Sequence, residues 1–482
     1  MRRRRSPVVL AALAALLLAC GQVGAHTRAL PAPVAKALAA AGIPEAAVGV
    51  VVQELDARQP SVSVNAGQPM HPASTMKLVT TLAALELLGP AFTWRTEALA
   101  AGEVRGDLLD GDLVLRGGGD PRLTIENFWT LLRHLRQRGV REIRGDLVLD
   151  RGAFAIEARE AGVLDGDPHR AYNTPPDALL VNFRALMLHF VPDPVARTVG
   201  VLLDPPLPQV RLSSKLAFEA GGQCDAWLAR IGIQVQATAS AATIHVGGSF
   251  PGDCGERQRP VSVLSHGQYL LGLFQTLWRD LGGVFGGGVR DAATPPGARA
   301  LASLRSASLS EVVRDINKWS NNVMAQQLYL TLGMREPGAP ATWARSERAV
   351  QQWLRQRQLS MPELVLENGS GLSRVERISA RSMADLLIAA YAGPTMPEFI
   401  ASLPLAAVDG TMRKRLPGTP VAGHAHIKTG SLNEVRTVAG YVLDARGRRS
   451  AVVFFVNHPR AQAAQPAIDA LLLWVHQPRR GE

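Results

Sequence analysis

Apolar residues recur at helical spacing from Leu78 to Leu88, directly after the stretch His71-Pro72-Ala73-Ser74-Thr75-Met76-Lys77, and Gly89-Pro90 stops the run. Pro72 suits the first turn of such a helix. Ser74 and Lys77 then lie one turn apart on one face, close enough for the amine to take the hydroxyl proton. Upstream, Val48–Leu55 and Ser61–Asn65 read as two strands joined by a polar turn over Asp56–Pro60, so a hairpin delivers the chain to this helix. A short helix is predicted before it, over Val34–Ala41.

From about Trp94 the pattern changes. Asp112–Arg116, Gly145–Asp150, Thr198–Leu203 and Ala242–Val246 are short β-like runs punctuated by Gly, Pro and Asp, and only Ile125–Arg138 reads as a clear helix among them. The Gly-rich stretch Gly282–Gly288 and the Pro/Gly/Ala-rich stretch Ala292–Ala300 read as the return linker. Helical patterning resumes over Leu309–Thr331, Thr342–Arg357 and Ala380–Ala392. The end holds a strand pair, Val435–Leu443 and Ser450–Asn457, and an amphipathic closing helix, Ala461–Gln477, that packs on the sheet. The expected division is an outer domain over 26–95 and 300–482, an inserted accessory domain over 96–165 and 241–299, and a second inserted β-rich domain over 166–240.

Composition agrees with several domains: 482 residues exceed what one core accommodates, and 47% hydrophobic with 19% charged residues is an ordinary globular balance. The formal net charge of +11 owes part of its size to Arg2–Arg5. Those arginines are the basic head of an export signal over residues 1–25, with an apolar stretch Val8–Ala19 and a small-residue cleavage site at Val23-Gly24-Ala25. A second reading stands beside it: Leu17-Leu18-Ala19-Cys20 resembles a lipobox, which would leave the protein tethered through a lipid on Cys20. Either way the chain is exported to the periplasm or cell envelope, with no other membrane contact. Export permits a disulfide, and Cys224 and Cys254 either close one loop or stand as separate buried thiols. A nucleic-acid partner is excluded, because no basic block with interleaved aromatics and no phosphate-binding Gly loop is present.

Ser-x-x-Lys is a loose pattern, and a serine near a helix start ordinarily caps it. Two observations give it weight. Lysine is scarce, limited to Lys36, Lys77, Lys215, Lys318, Lys414 and Lys428. Further motifs of matching chemistry follow: Ser320-Asn321-Asn322 interrupts a helical pattern, and Lys428-Thr429-Gly430 on an edge strand offers a cation, a hydroxyl and a close approach for a ligand's backbone. Their order is that of penicillin-binding proteins and serine β-lactamases. His424 and His426 fall on one strand face, but no third ligand at useful spacing completes a metal site.

The chain resembles the D-alanyl-D-alanine carboxypeptidase/endopeptidase family of low-molecular-mass class C penicillin-binding proteins, the kind with a large insertion between the first and second motifs. The resemblance is carried by Pro72–Leu78, Gly117-Gly118-Gly119-Asp120-Pro121, Tyr172–Pro175, Asn317–Asn322, Asn368–Arg374, Gly410–Arg415 and Lys428–Leu432. It implies an α+β fold: a penicillin-recognising transpeptidase/β-lactamase-like domain, an antiparallel sheet with covering helices, carrying inserted β-rich accessory domains. It implies Ser74 as nucleophile, Lys77 as its base, Ser320 as proton shuttle, Asn322 as a positioning amide and Lys428 as a source of positive potential. Thr429, with Gly430 and Ser431, would bind the substrate's terminal carboxylate and oxyanion. Asp150 and Phe154 match positions that read the stem-peptide side chain, with a strand-end turn and one buried ring as the alternative; Arg374 matches a cleft residue, and Asn433 stands where relatives often carry Gln. The implied partners are peptidoglycan stem peptides, with β-lactam antibiotics as inhibitors; no metal or organic cofactor is required. The competing readings are a serine β-lactamase, disfavoured because no Glu-x-x-x-Asn pattern follows the second motif, and a non-catalytic peptidoglycan-binding envelope protein, disfavoured by the intact motifs.

Overall fold

The computed structural model describes residues 29–157, 166–335 and 338–477. The expected export signal and Cys20 lie outside the described residues. The outer part of the chain builds one antiparallel sheet from β1 (Val48–Glu54), β2 (Val62–Val64), β3 (Ala425–Leu432), β4 (Val435–Leu443) and β5 (Arg449–Asn457), in the order β3-β4-β5-β1-β2. The long apolar runs in β1 and β5 are explained by helices on both faces. Val51, Val453 and Phe455 point into one core, while Val50, Val52, Val452, Phe454 and Val456 point into the other. The second face is covered by α1 (Ala32–Ala41) and the closing helix, whose last stretch is regular over Gln465–His476.

The first face carries α2 (Lys77–Leu88), α3 (Leu309–Trp319), α4 (Asn322–Gly333) and α5 (Ala380–Tyr391). Every residue of α2 from Lys77 to Leu85 is buried, so this helix is the middle of the core and not its cover. Ser74 sits in a 3-10 turn, Ala73–Met76, ahead of it, with Pro72 just outside the turn. The pattern predicted over Leu309–Thr331 is two helices. Ser320, at φ +57°, ends the first, and the Asn321 side chain caps the second by accepting from Met324 N at 3.0 Å.

Between these halves lies a seven-stranded sheet in which Arg95–Arg105 and Leu108–Arg116 form the central hairpin. It is followed by a unit of two three-stranded sheets, one of Leu186–Asp193, Thr198–Asp204 and Arg257–Val261, the other of Val210–Glu219, Ile231–Ala237 and Ala242–Pro251. Three expectations are corrected here. The second inserted unit runs past residue 240, because Ala242–Pro251 pairs with Val210–Glu219 and Arg257–Val261 pairs with Leu186–Asp193. The region read as a return linker is partly strand: Val284–Phe285, within its Gly-rich stretch, and the adjoining Val289–Asp291 and Arg299–Arg305 join the large sheet, while 286–288 and 292–298 are irregular. Val284–Phe285 and Val289–Asp291 are too short to display an alternation. A second helix, His266–Asp280, also lies in this region; Gly267 and Gly272 interrupt the pattern that would have marked it.

Cys224 and Cys254 are disulfide-bonded across a sequence separation of 30 residues. Inside that loop Trp227 packs edge-on against Phe190 at 5.2 Å and Phe250 at 5.8 Å between ring centres. Loop-closure entropy for a loop of this size is worth roughly 3–4 kcal/mol. The double variant Cys224→Ser/Cys254→Ser should therefore unfold its inserted unit at clearly lower urea concentration than the oxidised protein; an unchanged midpoint would show that the bond adds nothing.

Candidate active site

Ser74 is held where three parts of the chain meet. The preceding residues are clamped to the sheet: His71 N donates to Asn457 Oδ1 at 2.7 Å, and Thr437 Oγ1 donates to the Pro72 carbonyl at 2.7 Å. The His71 ring spans the gap on the other side, Nε2 lying 2.9 Å from the Ser373 carbonyl and Nδ1 accepting from Ala73 N at 3.0 Å. Ala73 itself sits at φ +46°, in the left-handed region that non-glycine residues seldom enter. Such strain persists only where surrounding contacts over-determine it, and these contacts do so.

Two glycines let the neighbouring chains come close. A Cβ on Gly430 would lie 2.9 Å from both the Pro72 carbonyl oxygen and Ser74 N, so the edge strand β3 passes directly against the nucleophile's backbone. Gly371, at φ +79°, has no room for a side chain because the Ala73 carbonyl occupies that space.

Lys77 Nζ lies 3.0 Å from Ser74 Oγ, 2.7 Å from Asn322 Oδ1 and 2.5 Å from the Ser370 carbonyl. Lys428 Nζ donates to Ser320 Oγ at 2.9 Å and to the Thr429 carbonyl at 2.8 Å. Both lysine side chains are fully buried. Burial, reinforced by the like charge of Lys428, pushes the Lys77 amine well below the ordinary lysine value, and Glu376 opposes this by raising it. Burial alone brings Lys428 down to about 7. A neutral amine 3.0 Å from a hydroxyl is a base in reach of its proton.

Above this centre opens a cleft of about 1150 Å³, reached by Ser74, Ser320, Asn322, Ser431 and Arg374. Thr429 donates its hydroxyl to Thr411 at 2.8 Å on the exposed side of β3. Arg374, expected to face the substrate, is in the cleft wall. Asp150 and Phe154, expected beside it, are not. Asp150 ends a strand and accepts from Gly152 N at 3.1 Å and Thr294 N at 2.9 Å, while the Phe154 ring is buried beside Gly119 with Ala178, Leu330 and Ala341. Their shared spacing reflects a strand-end turn and a buried ring.

The inserted parts supply the opposite wall through other residues, among them Glu126, Arg170 and Tyr172, and Trp319 contributes an indole that is 65% exposed. Trp319 lies inside a motif already noted. Gln462, which reaches the cleft from the turn before the closing helix and donates to the Leu432 carbonyl at 2.8 Å, had no sequence signal at all. The His424 ring lies 5.1 Å from that of His476, tilted by 51°, and among the described residues no group of three or more His, Cys, Asp or Glu is suited to a metal ion.

The buried lysines make stability depend on pH. In the unfolded chain a lysine keeps its proton to about pH 10.4. In the folded chain Lys428 releases it near pH 7. Below pH 7 both states are protonated and the folded state bears the whole cost of the buried cation. Between about pH 7 and 10 the unfolded state binds more protons, so stability rises with pH. Lys428→Met should flatten that rise and gain stability relative to wild type at pH 6, as read by urea unfolding; parallel profiles for the two proteins would contradict the assignment.

The model of the D-Ala-D-Ala carboxypeptidase 3 (S13) family matches residues 30–477. The chain is 30% identical over 448 residues to the D-alanyl-D-alanine carboxypeptidase of Actinomadura sp. (strain R39), covering 88% of this chain and 80% of that one. It is 26% identical over 418 residues to the D-alanyl-D-alanine carboxypeptidase DacB of Haemophilus influenzae, covering 85% of each. The crystal structure of penicillin binding protein 4 (dacB) from Haemophilus influenzae superposes with a TM-score of 0.76 at 26% identity, over 92% of this chain and 99% of that one. A match running from the first described helix to the last, on a fold shared almost end to end, places this chain in the D-Ala-D-Ala carboxypeptidase 3 (S13) family as a serine-type D-Ala-D-Ala carboxypeptidase.

Proposed function

We propose that the protein cleaves D-Ala-D-Ala ends of peptidoglycan stem peptides through an ester on Ser74. The observation that carries this is a fully buried Lys77 amine, 3.0 Å from Ser74 Oγ and held there by Asn322 and the Ser370 carbonyl. Lys77 takes the hydroxyl proton as Ser74 Oγ bonds to the carbonyl carbon between the two D-alanines. The oxyanion is met by backbone N–H groups of Ser74 and Ser431, brought together by the close passage of Gly430. Collapse breaks the C–N bond, and the departing amine gains a proton through Ser320, whose hydroxyl is bonded to Lys428. The Thr429 hydroxyl helps bind the terminal carboxylate, and Lys428, buried behind Ser320, supplies positive potential. Water then attacks the ester, Lys77 again taking its proton, and Ser74 is regenerated.

A β-lactam presents a strained amide with a nearby carboxylate and meets the same groups. The relative of known structure is named a penicillin binding protein, which supports penicillin as an inhibitor here. At about 1150 Å³ the cleft exceeds the ~300–1,000 Å³ range of small-ligand sites. That room supports a second substrate, a cross-linked stem peptide whose leaving group is another peptide, and hence DD-endopeptidase activity. The substrate implies export to the periplasm, by leader removal or by a lipid on Cys20.

Mass spectrometry after penicillin treatment should find one adduct on Ser74 in wild type and none on Ser74→Ala. Lys77→Ala should slow its formation on the order of 10²–10⁴-fold. Digests of purified peptidoglycan should release free D-alanine and monomeric stem peptides from cross-linked dimers. An unmodified wild-type serine would overturn the enzyme reading. Rapid loss of the adduct with no peptide cleavage would instead indicate a β-lactamase.

A further inference from the structure

Glu376 is a carboxyl group with no exposure to solvent, outside every motif that suggested chemistry. Its Oε1 accepts from three successive amides, Glu367 N at 3.2 Å, Asn368 N at 3.0 Å and Gly369 N at 2.9 Å. Its Oε2 accepts from Gly371 N at 2.9 Å. All four partners are donors, so the form they satisfy is the carboxylate. Burial pushes the Glu376 carboxyl up from its ordinary value and these amides hold it back. The residue skipped in this series is Ser370, and its carbonyl is the one that lies 2.5 Å from Lys77 Nζ. Gly369 and Gly371, at φ +69° and +79°, give the backbone the turn that aims that carbonyl inward.

We propose that Glu376 is a positioning residue for the reaction: its carboxylate gathers the 367–371 loop so that the Ser370 carbonyl fixes Lys77 beside Ser74, and it sets a buried negative charge against the buried Lys77 amine. The charged groups acting on Lys77 are Lys428 on β3 and Glu376 on this loop. Glu376 in turn faces Glu367 on its own loop and, from α4, the phenol of Tyr329, which burial and the Glu376 charge keep neutral. Glu376 is the member of this set that raises the Lys77 amine against burial and Lys428. A base too easily deprotonated is a weak one, so a partly offset shift serves proton abstraction better than an unopposed one. The proposal rests on the reading of Ser74 as nucleophile and Lys77 as its base.

The test is the rate of penicillin adduct formation on the full chain across pH, for wild type, Glu376→Gln and Glu376→Asp, with thermal unfolding as a check on folding. Glu376→Gln removes the charge and sets an amide N–H against Gly371 N. The acidic limb of its profile should move to lower pH, because Lys77 loses an opposing carboxylate, and its plateau should fall about 10²-fold as the amine is misplaced. Glu376→Asp keeps the charge but withdraws it from the amides, so its limb should stay at the wild-type position while its plateau falls. A Glu376→Gln limb that coincides with wild type would overturn the proposal. If Glu376→Gln does not fold, a Glu376→Asp plateau equal to wild type does so. Failure of the underlying reading looks different, since wild type itself would then form no adduct on Ser74.

Discussion

The structure turns on keeping two lysine amines dry within one cleft. An amine in water holds its proton far above neutral pH and cannot serve as a base. Lys77 and Lys428 are each fully buried, and the charge of Lys428 makes protonation of Lys77 costlier still. The surroundings follow from that requirement. A backbone carbonyl and an amide oxygen must meet Lys77, so Ser370 and Asn322 converge on it. The nucleophile must come to the base, so the chain at Ala73 is bent into the left-handed region and pinned to β4 and β5.

Such a centre costs stability and has to be carried by packing. The sheet strands bury alternate side chains in separate cores on its two faces, and α2 threads the middle of one of them. Lys77 is the first residue of that helix, so the base is anchored to an element enclosed by the core. Sites built on rigid elements hold geometry better than sites on loops. The loops that do take part are stiffened locally: the 367–371 loop by Glu376, and the 71–73 bend by the ring of His71.

The inserted units have their own core, yet they are tied to the centre by a helix that already serves it. α4 begins with Asn322, which holds Lys77, and further along carries Gln327. The Gln327 side chain accepts from Asp177 N at 2.9 Å and donates to the Asp177 carbonyl at 2.8 Å, both fully buried links to the inserted chain. The wall that bears Arg170 and Tyr172 is thus set relative to the nucleophile through one helix.

The sequence alone determined what was local or periodic. Ser74 and Lys77 share a face because three residues make a turn, the helix after them is recognisable from its apolar run, and Ser320-Asn321-Asn322 and Lys428-Thr429-Gly430 announce a hydroxyl, an amide and a cation through residue type. Tertiary structure decided everything that depends on residues distant in the chain. It withdrew Asp150 and Phe154, whose spacing fitted a substrate contact, because one satisfies a strand-end turn and the other fills an apolar gap. It brought in Gln462 and Glu376, single polar residues with no pattern around them, because a carboxylate 299 positions beyond Lys77 becomes its neighbour only when the loop between them folds over α2. Periodicity reports which face of an element is buried; it is silent on which buried faces meet, and the acidity of an amine is set by that meeting.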